Sequence, residues 1–470
     1  MSSELPDELK EKFENQIATA MVQSHIPGLS VALVKDDRVI YARGFGARNL
    51  KDNLPATPNT LYGIGSTTKS FTALAIMQLA EQGKLDLQDP VSKHLPVKIG
   101  NKEKPIKIFN LLTHSSGIPN LGVAETLVLR STGLDEKHIP MSSLDDLFLH
   151  INGAKEEVAA EPGKRFFYFN SGFTLLGEIV ERVSKMKYVD YVKEKILKPL
   201  KMNRSTFLKE DFEKDPDAMT GYRRSEKEGT LTAAKFPFHK FIYPPGGLLS
   251  SVIELSNYLI ANMNGGVFKE TKIVGTSFLE EMHKAHVESN LPGLLGKEKY
   301  GYGWEIVENF LGHKLVSHGG NVGVSSANLG FVPDQKIGVA IACNTDVILG
   351  VPITLAALAL LMGKDPEKEI PFFEIEKKLS MLAGAYESYK GITKISVVKK
   401  GGLLYAESKE KGMEMSLPLI PESEKIENFK FYAIAGPGLK MAVEFVVDPS
   451  GKIDAYMERL RLHKIGESST

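Results

Sequence analysis

The sequence predicts an α/β (α+β) protein with an antiparallel sheet flanked by helices, a helical subdomain, and a further all-β domain at its C-terminal end. Three observations support this fold class. β-rich runs near the start of the chain return after residue 300, the chain between them is mainly helical, and short strand-like runs follow residue 375. Strands from both ends of one segment can pair in a single sheet with the helices on its faces.

The beginning of the chain predicts a helix and then a hairpin. Residues 1–23 have a polar helical pattern without the basic and then apolar order of a secretory signal. The next run, GLSVALVKDDRVIYARGFG at 28–46, has two β-rich stretches around a Lys-Asp-Asp-Arg turn, which predicts a β-hairpin at the start of the sheet. From this beginning we expect a soluble, cytoplasmic protein.

The composition limits the kinds of partner. Lys and Arg together number 58, as do Asp and Glu, and no basic run exceeds a few residues. A chain of zero net charge lacks the electrostatic footprint of nucleic-acid binding and is not attracted to an anionic membrane. We therefore expect a small neutral ligand or a peptide, with neither nucleic acid nor membrane as a partner.

The stretch LYGIGSTTKSFTALAIMQLAEQGKLDL at 61–87 predicts a central buried helix over 71–82, because that part is almost entirely apolar. Ser66 and Lys69 lie three apart in its first turn, so the hydroxyl and the amine can reach each other. Burial lowers the pKa of a lysine, and a neutral amine beside a hydroxyl is a base that can take its proton. The unpaired N–H groups at the start of the helix can stabilise an oxyanion there.

A Ser-x-x-Lys pair alone is weak evidence, because the chain contains three more. The ordinary interpretation of a lone pair is a serine that caps a helix and a lysine that reaches solvent. The other three differ in context: the first lies in an amphipathic helical pattern, the second in a strand-like run where residues three apart face opposite sides, and the third in a charged turn. They are Ser184/Lys187, Ser396/Lys399 and Ser408/Lys411.

Further helices are predicted at 172–187, 252–264 and 351–362. The last of them, VPITLAALALLM, is too short to span a bilayer. The single cysteine, Cys343, lies in the apolar run VAIACN, which favours a buried strand residue without a disulfide. His283 and His286 could share a helix face, but no third ligand is evident, so we expect no metal and no other cofactor.

The segment at 363–374 is charged and carries prolines, which is typical of a domain linker. Beyond it, short β-rich runs recur about every 8 to 15 residues with glycine-containing turns, the pattern of an up-and-down β-barrel or a sandwich. The chain is thus divided into an N-terminal helix (1–23), a main domain (24–362), the linker, and a β-barrel domain (375–470).

Six motifs follow one another in the main domain: GSTTKS, LLTHSSGIP, FFYFNSGFTLLGEIVE, PPGGLLSSVIEL, YGYGW and SHGGNVGV. In order and spacing they resemble the serine β-lactamase and penicillin-binding-protein superfamily, specifically its class C-like branch, the CubicO group. The resemblance implies a β-lactamase-like fold for the main domain.

The resemblance also implies roles for single residues. Ser66 would be the nucleophile, and Lys69 its base partner. Tyr168 of the Tyr-x-Asn element would be the proton shuttle, and a phenol near a cationic amine has a lowered pKa that suits proton transfer. Asn170 would hold the acyl side of the substrate.

The third element of the family would be His318 and Gly319, at the start of a strand. His318 counts among the expected catalytic residues and Gly319 among those that bind substrate. The backbone N–H of Asn321 on that strand would join the N–H of Ser66 in an oxyanion hole. His114 in LLTHSSGIP is interpreted as structural, because that motif shapes a turn.

The third element departs from many penicillin-binding proteins and β-lactamases, which have lysine where this chain has His318. Histidine is mostly neutral at pH 7, which disfavours β-lactam hydrolysis and suits the esterases and peptidases of the branch. We therefore expect a serine hydrolase that forms an acyl-enzyme with small peptides, D-residue peptides among them. A carboxylesterase with the same residues is the alternative. A β-lactamase or a catalytically silent binding protein is less favoured.

The C-terminal β domain, in fragments such as LAGAYES and FVVDPSGKI, resembles the lipocalin-like barrel of some archaeal members of this branch. Those members are peptidases that assemble into closed homo-oligomeric compartments. The resemblance implies a homo-oligomer, with a closed octameric compartment as one form. The barrel would then restrict access to the active site or mediate assembly.

Overall fold

The computed structural model describes residues 5–100, 103–133, 141–224, 230–291, 293–347, 350–410 and 413–467. The chain divides into two compact units, Met1–Lys364 and Asp365–Thr470. Each unit buries a hydrophobic core of its own.

The first unit is organised around an antiparallel sheet. The strands of this unit are β1 (Gly28–Lys35), β2 (Arg38–Asn49), β3 (Leu54–Pro55), β4 (Tyr62–Gly63), β5 (Gly221–Arg224), β6 (Leu231–Ala234), β7 (Leu249–Ser250), β8 (Val267–Phe268), β9 (Thr271–Lys272), β10 (Val287–Glu288), β11 (Lys299–Tyr300), β12 (Glu305–Phe310), β13 (His313–Asn321), β14 (Ser326–Val332) and β15 (Ile337–Cys343). Within the described residues, nine strands form one sheet in the order β10-β11-β12-β13-β14-β15-β1-β2-β3. Since β1 pairs with β15, strands from both ends of the unit are neighbours, as the sequence predicts.

Helices cover this sheet and form a helical subdomain. They are α1 (Asp7–Ser24), α2 (Thr68–Glu81), α3 (Val91–His94), α4 (Ile108–Leu112), α5 (Val123–Ser131), α6 (Leu144–Gly153), α7 (Asn170–Ser184), α8 (Tyr188–Val192), α9 (Lys209–Lys214), α10 (Tyr243–Gly246), α11 (Val252–Met263), α12 (Thr276–Met282) and α13 (Gly350–Leu361). Helices α11 and α13 pack against the sheet at β15, whereas α2, α7 and α10 pack on one another. In the described part of the chain, no helix is both long enough and apolar enough to cross a lipid bilayer.

Helix α2 is the predicted central helix, and it lies inside the core. Its residues from Thr68 to Leu79 are buried. It follows a 3-10 turn at Gly65–Thr67 and stops before Gly83, whose φ of +68° is a left-handed conformation that glycine adopts without steric cost. Ser66 therefore lies in the turn that leads into the helix.

The helix predicted at 172–187 is divided in two. Helix α7 ends at Ser184, because Lys185 takes the left-handed conformation with φ +61°, and α8 begins at Tyr188. Ser184 and Lys187 therefore do not share one helix, which corrects the sequence interpretation of that pair. The spacing of the apolar residues stays helical across the interruption between α7 and α8, so it does not predict where α7 ends.

The second unit is a closed barrel with a helical beginning. Its elements are α14 (Pro366–Glu369), α15 (Pro371–Leu382), β16 (Gly384–Glu387), β17 (Lys394–Lys400), β18 (Leu403–Glu410), β19 (Met413–Pro421), β20 (Lys430–Gly436), β21 (Leu439–Val447), β22 (Ile453–Met457) and β23 (Leu460–Gly466). In the described residues the eight strands pair in sequence order and β23 closes on β16, so the predicted all-β barrel is confirmed. The segment 363–374, predicted as a linker, contains α14 and the start of α15.

The two remaining Ser-x-x-Lys pairs belong to this barrel. Ser396 and Lys399 lie in β17, as predicted. Ser408 lies in β18 and not in a turn, and Lys411 is outside the described residues.

Candidate active site

Ser66 and Lys69 meet at the start of α2. Lys69 is fully buried, and its Nζ lies 2.9 Å from Ser66 Oγ and 2.8 Å from the carbonyl oxygen of Pro245. Burial lowers the pKa of Lys69 from its ordinary value of 10.5 to about 7, and the charges of Glu125 and Glu305 oppose that lowering. A substantial fraction of the amine beside the Ser66 hydroxyl is therefore free base at neutral pH.

The carbonyl that faces Lys69 belongs to the PPGG sequence of α10. A Cβ added to Gly177 of α7 would lie 2.3 Å from the Pro244 ring, so only glycine allows α7 and α10 to approach this closely. The Thr72 hydroxyl donates a 2.7 Å hydrogen bond to the Pro244 carbonyl oxygen, which ties α10 to α2. Helix α10 therefore fixes a backbone acceptor for Lys69 and helps to keep the amine next to Ser66.

Strand β13 approaches the turn that carries Ser66 very closely. A Cβ on Gly65 would lie 2.3 Å from the backbone nitrogen of Asn321, and a Cβ on Gly320 would lie 1.9 Å from the Ile64 carbonyl oxygen. Gly65 also has φ +54°, a conformation that disfavours a side chain. These glycines bring the strand backbone at Asn321 next to the serine turn, where the sequence predicts an oxyanion hole.

Tyr168 lies beside the lysine, with its ring centroid 4.7 Å from Lys69 Nζ. Burial raises the pKa of the Tyr168 phenol well above its ordinary value, and an interaction with the Ser66 hydroxyl lowers it only in part. The expected lowering of this pKa is therefore wrong. Desolvation outweighs the influence of an amine that is itself partly neutral. Tyr168 is a protonated phenol at neutral pH.

His318 lies near the C-terminal end of β13, not at the start of a strand, and is fully buried. Its Nδ1–H donates a 2.6 Å hydrogen bond to the Gly319 carbonyl oxygen, so its Nε2 is the acceptor for the Tyr300 hydroxyl at 2.9 Å. Burial lowers the pKa of His318 to about 3. The ring is therefore neutral at pH 7, and this element supplies no positive charge. Tyr300 was not predicted from the sequence as the hydrogen-bond partner of His318.

His114 supports the Tyr-x-Asn segment. Its ring centroid lies 4.3 Å from that of Tyr168, and its Nδ1 accepts a 3.0 Å hydrogen bond from the Phe169 N–H. Burial lowers the pKa of His114 well below its ordinary value, so the imidazole is neutral. These contacts agree with a structural role, in which His114 orients the backbone between Tyr168 and Asn170.

A cavity of about 420 Å³ opens next to Ser66. Of the sequence-predicted residues, Ser66, Asn170 and Asn321 line it, and Lys69 reaches it through its contact with Ser66. The structure places Tyr168, His318 and Gly319 outside this lining. The rest of the described lining is apolar apart from one carboxylate, and consists of Ala124, Glu125, Val128, Leu129, Ile242, Pro245, Gly246, Val322 and Gly323.

Glu125 is a cavity residue that sequence reasoning missed. It lies in the first turn of α5, and its Oε1 accepts hydrogen bonds from Asn170 Nδ2 at 2.7 Å and from Asn120 Nδ2 at 2.9 Å. In the sequence it resembles the polar face of a short amphipathic helix. No local pattern links it to Asn170, which lies 45 residues further on.

The two histidines considered as metal ligands, His283 and His286, make hydrogen-bond contacts with other groups of the protein. His283 Nε2 lies 2.9 Å from Asn262 Oδ1, and His286 Nε2 lies 2.9 Å from the Glu281 carbonyl oxygen. Among the residues that the structure describes, no three or more His, Cys, Asp or Glu side chains are grouped so that they could hold a metal ion. Cys343 is buried in β15, as predicted.

The fold, together with a serine and a buried lysine at the start of its central helix and a tyrosine ring beside that lysine, defines the class of penicillin-binding proteins and serine β-lactamases. The Beta-lactamase family model matches residues 13–361, and the chain belongs to this family. Its members are serine hydrolases that work through an acyl-enzyme. A second family model, the Pab87 octamerisation domain, matches residues 366–463.

Several known proteins are similar to this chain. The structure of the octameric penicillin-binding protein homologue from Pyrococcus abyssi covers 97% of this chain and is itself covered to 99%, with 42% identity and a TM-score of 0.88. The penicillin-binding protein from Bacillus halodurans shows 26% identity and a TM-score of 0.59 over 73% of this chain and 99% of its own. Protein flp of Staphylococcus aureus (strain MW2) is 29% identical over 348 residues, which are 72% of this chain but only 64% of that protein.

Proposed function

We propose that the protein is a serine peptidase that cleaves small peptides through an acyl-enzyme. The observation that carries this proposal is the 2.9 Å contact between Lys69 Nζ and Ser66 Oγ, made by a buried lysine whose pKa is about 7. A serine hydroxyl is a weak nucleophile at neutral pH, and an adjacent neutral amine activates it. Ser66 is then the nucleophile, and Lys69 is its general base.

Acylation follows from this pair. Ser66 Oγ bonds to the acyl carbon while its proton passes to Lys69 Nζ, and the carbonyl oxygen becomes an oxyanion that the backbone N–H groups of Ser66 and Asn321 stabilise. When the intermediate collapses, the C–N bond breaks and the leaving amine takes the phenol proton of Tyr168, which is present at neutral pH. The Lys69 ammonium then returns a proton to Tyr168.

In deacylation, water replaces the Ser66 hydroxyl as the nucleophile, and Lys69 is again the base. The free amine of Lys69 takes one proton from the attacking water, and the water oxygen bonds to the acyl carbon. The bond between that carbon and Ser66 Oγ then breaks, and Oγ regains the proton held by Lys69. The step releases the acid product and restores the free enzyme.

A carboxylesterase is the second candidate, because the same residues can release an alcohol and the cavity wall is mostly apolar. The two activities differ in their need for Tyr168. A leaving amine must be protonated as it departs, whereas a p-nitrophenolate leaves without a proton.

We also propose that the chain forms a homo-octamer with the help of its second unit. The match of residues 366–463 to an octamerisation domain supports this, as does the octameric homologue from Pyrococcus abyssi. In such an assembly the barrel would mediate contacts between subunits or limit the access of long substrates to Ser66.

The proposed chemistry is tested by labelling and by a substrate panel. A fluorophosphonate should modify Ser66, as read by mass spectrometry, and Ser66→Ala should abolish both labelling and turnover. The matched control is Ser396→Ala, which removes the serine of another Ser-x-x-Lys pair and should change neither. Turnover at the wild-type rate in Ser66→Ala would contradict the assignment.

The substrate panel compares L- and D-peptides, p-nitrophenyl esters and a cephalosporin at matched concentrations. We expect one or both of the peptide series to be hydrolysed. If only the esters are turned over, the carboxylesterase is the correct function.

A further inference from the structure

The cavity beside Ser66 has an unusual charge distribution. Among the described residues that line it, Glu125 is the one with an ionisable side chain, and the others are apolar or neutral. Its negative charge acts on the catalytic groups, since it raises the pKa of both Lys69 and Tyr168. His318 contributes no cation to balance it, because that ring is neutral. Lys69 behind Ser66 is only partly protonated at neutral pH, so the charge in the described lining that a ligand meets is the carboxylate of Glu125.

One oxygen of Glu125 has no hydrogen-bond partner among the residues that the structure describes. Its Oε1 accepts from Asn170 and Asn120, but Oε2 is buried and accepts from no described residue. A buried carboxylate oxygen left without a donor costs free energy, and such groups are uncommon in native structures. Because Glu125 lines the cavity, a rotation of its carboxylate would turn this unpaired oxygen toward a donor that a ligand brings.

The neighbouring Asn170 limits what this ligand can be. One N–H of its Nδ2 donates to Glu125, which leaves the second N–H as a donor and Oδ1 as an acceptor. Glu125 Oε2 and Asn170 Oδ1 are both acceptors, so a group that contacts both of them must donate two hydrogen bonds. A primary ammonium group has three donors and no acceptor, and its charge complements that of Glu125.

We propose that Glu125, with Asn170, binds a primary ammonium group on the acyl residue of the substrate, so that the enzyme selects cationic acyl donors. This inference rests on the proposed function, because Ser66 must attack the carbonyl of the same residue. The ammonium can be the α-amino group of an N-terminal residue or the side-chain amine of a lysine-like residue. The chemistry is the same in both cases, and matched substrates distinguish them.

The test measures kcat/KM for two substrate pairs, each prepared in both chiralities. The first pair is an aminoacyl p-nitroanilide with a free α-amino group and its N-acetyl derivative. The second is an Nα-acetyl-lysyl p-nitroanilide and the same compound acetylated on its side chain. In at least one pair the wild-type enzyme should prefer the ammonium form by about 10- to 100-fold, the size of a hydrogen bond to a charged group. The pair that shows the preference identifies the source of the ammonium.

The informative variant is Glu125→Gln, because its amide oxygen can still accept from Asn170 while the charge is removed. The ratio of kcat/KM for the ammonium and acetylated forms should fall to about one. Glu161→Gln is the matched control: it removes the same charge from an exposed ion pair with Lys104 and should keep the wild-type ratio. Equal kcat/KM for both forms in wild type would overturn the proposal. So would an unchanged ratio in Glu125→Gln, which would leave Glu125 as a positioning residue for Asn170.

A binding measurement separates this inference from the proposed function. In the Ser66→Ala background, calorimetry compares the Kd of an amino-acid amide and of a lysine side-chain analogue with that of their acetylated forms. Tighter binding of an ammonium form, lost when Glu125→Gln is added, supports the site even if Ser66 proves not to be the nucleophile. Equal Kd values for ammonium and acetylated forms would reject the site while leaving the labelling of Ser66 untouched.

Discussion

The proposed chemistry depends on the neutral form of Lys69. Burial lowers the pKa of this lysine from 10.5 to about 7. At pH 7 about half of the amine is then free base, compared with about one molecule in 3000 for an ordinary lysine. Burial therefore raises the fraction of competent base by roughly three orders of magnitude, which corresponds to about 4 kcal/mol of activation free energy.

The perturbation that tests this is replacement of Lys69 by Ala and by Arg. Lys69→Ala should lower kcat/KM by about 10²- to 10⁴-fold, the usual range for a lost general base. Lys69→Arg should lower kcat/KM by a similar factor, because a guanidinium stays protonated and cannot accept the Ser66 proton. Lys399→Ala, which removes the lysine of another Ser-x-x-Lys pair, is the matched control and should keep wild-type activity.

The assay is the pH dependence of kcat/KM from pH 5 to 9.5. In the wild-type enzyme kcat/KM should rise about tenfold per pH unit below pH 7 and level off above it, because only deprotonated Lys69 activates Ser66. Both Lys69 variants should lack this transition. A wild-type profile that is flat across pH 7, or a Lys69→Arg enzyme of normal activity, would refute the reasoning.

Three other predictions concern Tyr168, the stability cost of Lys69 and the second unit. Tyr168→Phe should lower kcat for peptides by about 10²- to 10⁴-fold and for p-nitrophenyl esters by less, and equal losses would contradict leaving-group protonation. The pKa of Lys69 in the folded protein lies below its ordinary value of 10.5, so between pH 7 and 10.5 the unfolded chain binds more protons than the folded one. The buried amine therefore destabilises the fold at pH 7, and this destabilisation decreases as the pH rises. Lys69→Met should thus raise the free energy of unfolding in urea titrations by about 4 kcal/mol at pH 7 and by less at pH 10, whereas equal gains would contradict this sign. Deletion after Lys364 should lower the oligomeric state in light scattering or widen cleavage toward long peptides, and no change in either would reject the proposed role of the barrel.

Much of the fold is predictable because it depends on local patterns. The hairpin at 28–46, the buried helix α2 and the strands of the barrel each show their own period of apolar residues or their own turn residues. The pairing of β1 with β15 is also foreseeable, since β-rich runs occur at both ends of the main domain. The three-residue spacing of Ser66 and Lys69 predicts that the amine can reach the hydroxyl, and the Pro245 carbonyl oxygen also holds the amine there.

Other features depend on contacts between distant segments and are not visible in the sequence. The pKa of Tyr168 is set by how much water the assembled site excludes, and proximity to Lys69 predicts the opposite direction. The tautomer of His318 follows from the Gly319 carbonyl oxygen, and the Nε2 atom that this leaves as an acceptor is used by the Tyr300 hydroxyl of a different strand. Glu125 joins the site only because α5 packs near the start of α7, where Asn170 lies.

The charges of the site have a direct consequence for substrate choice. Where many relatives of this superfamily have a lysine that can hold a substrate carboxylate, this chain has His318, which burial and the charge of Lys69 keep neutral. The cavity instead carries the carboxylate of Glu125. Penicillins and cephalosporins bear a carboxylate of their own, which would lack a cationic partner and would be repelled by Glu125. The same arrangement attracts an ammonium group. These charges therefore favour a cationic acyl donor over a β-lactam, whereas Ser66, which attacks the carbonyl carbon in either case, does not distinguish the two.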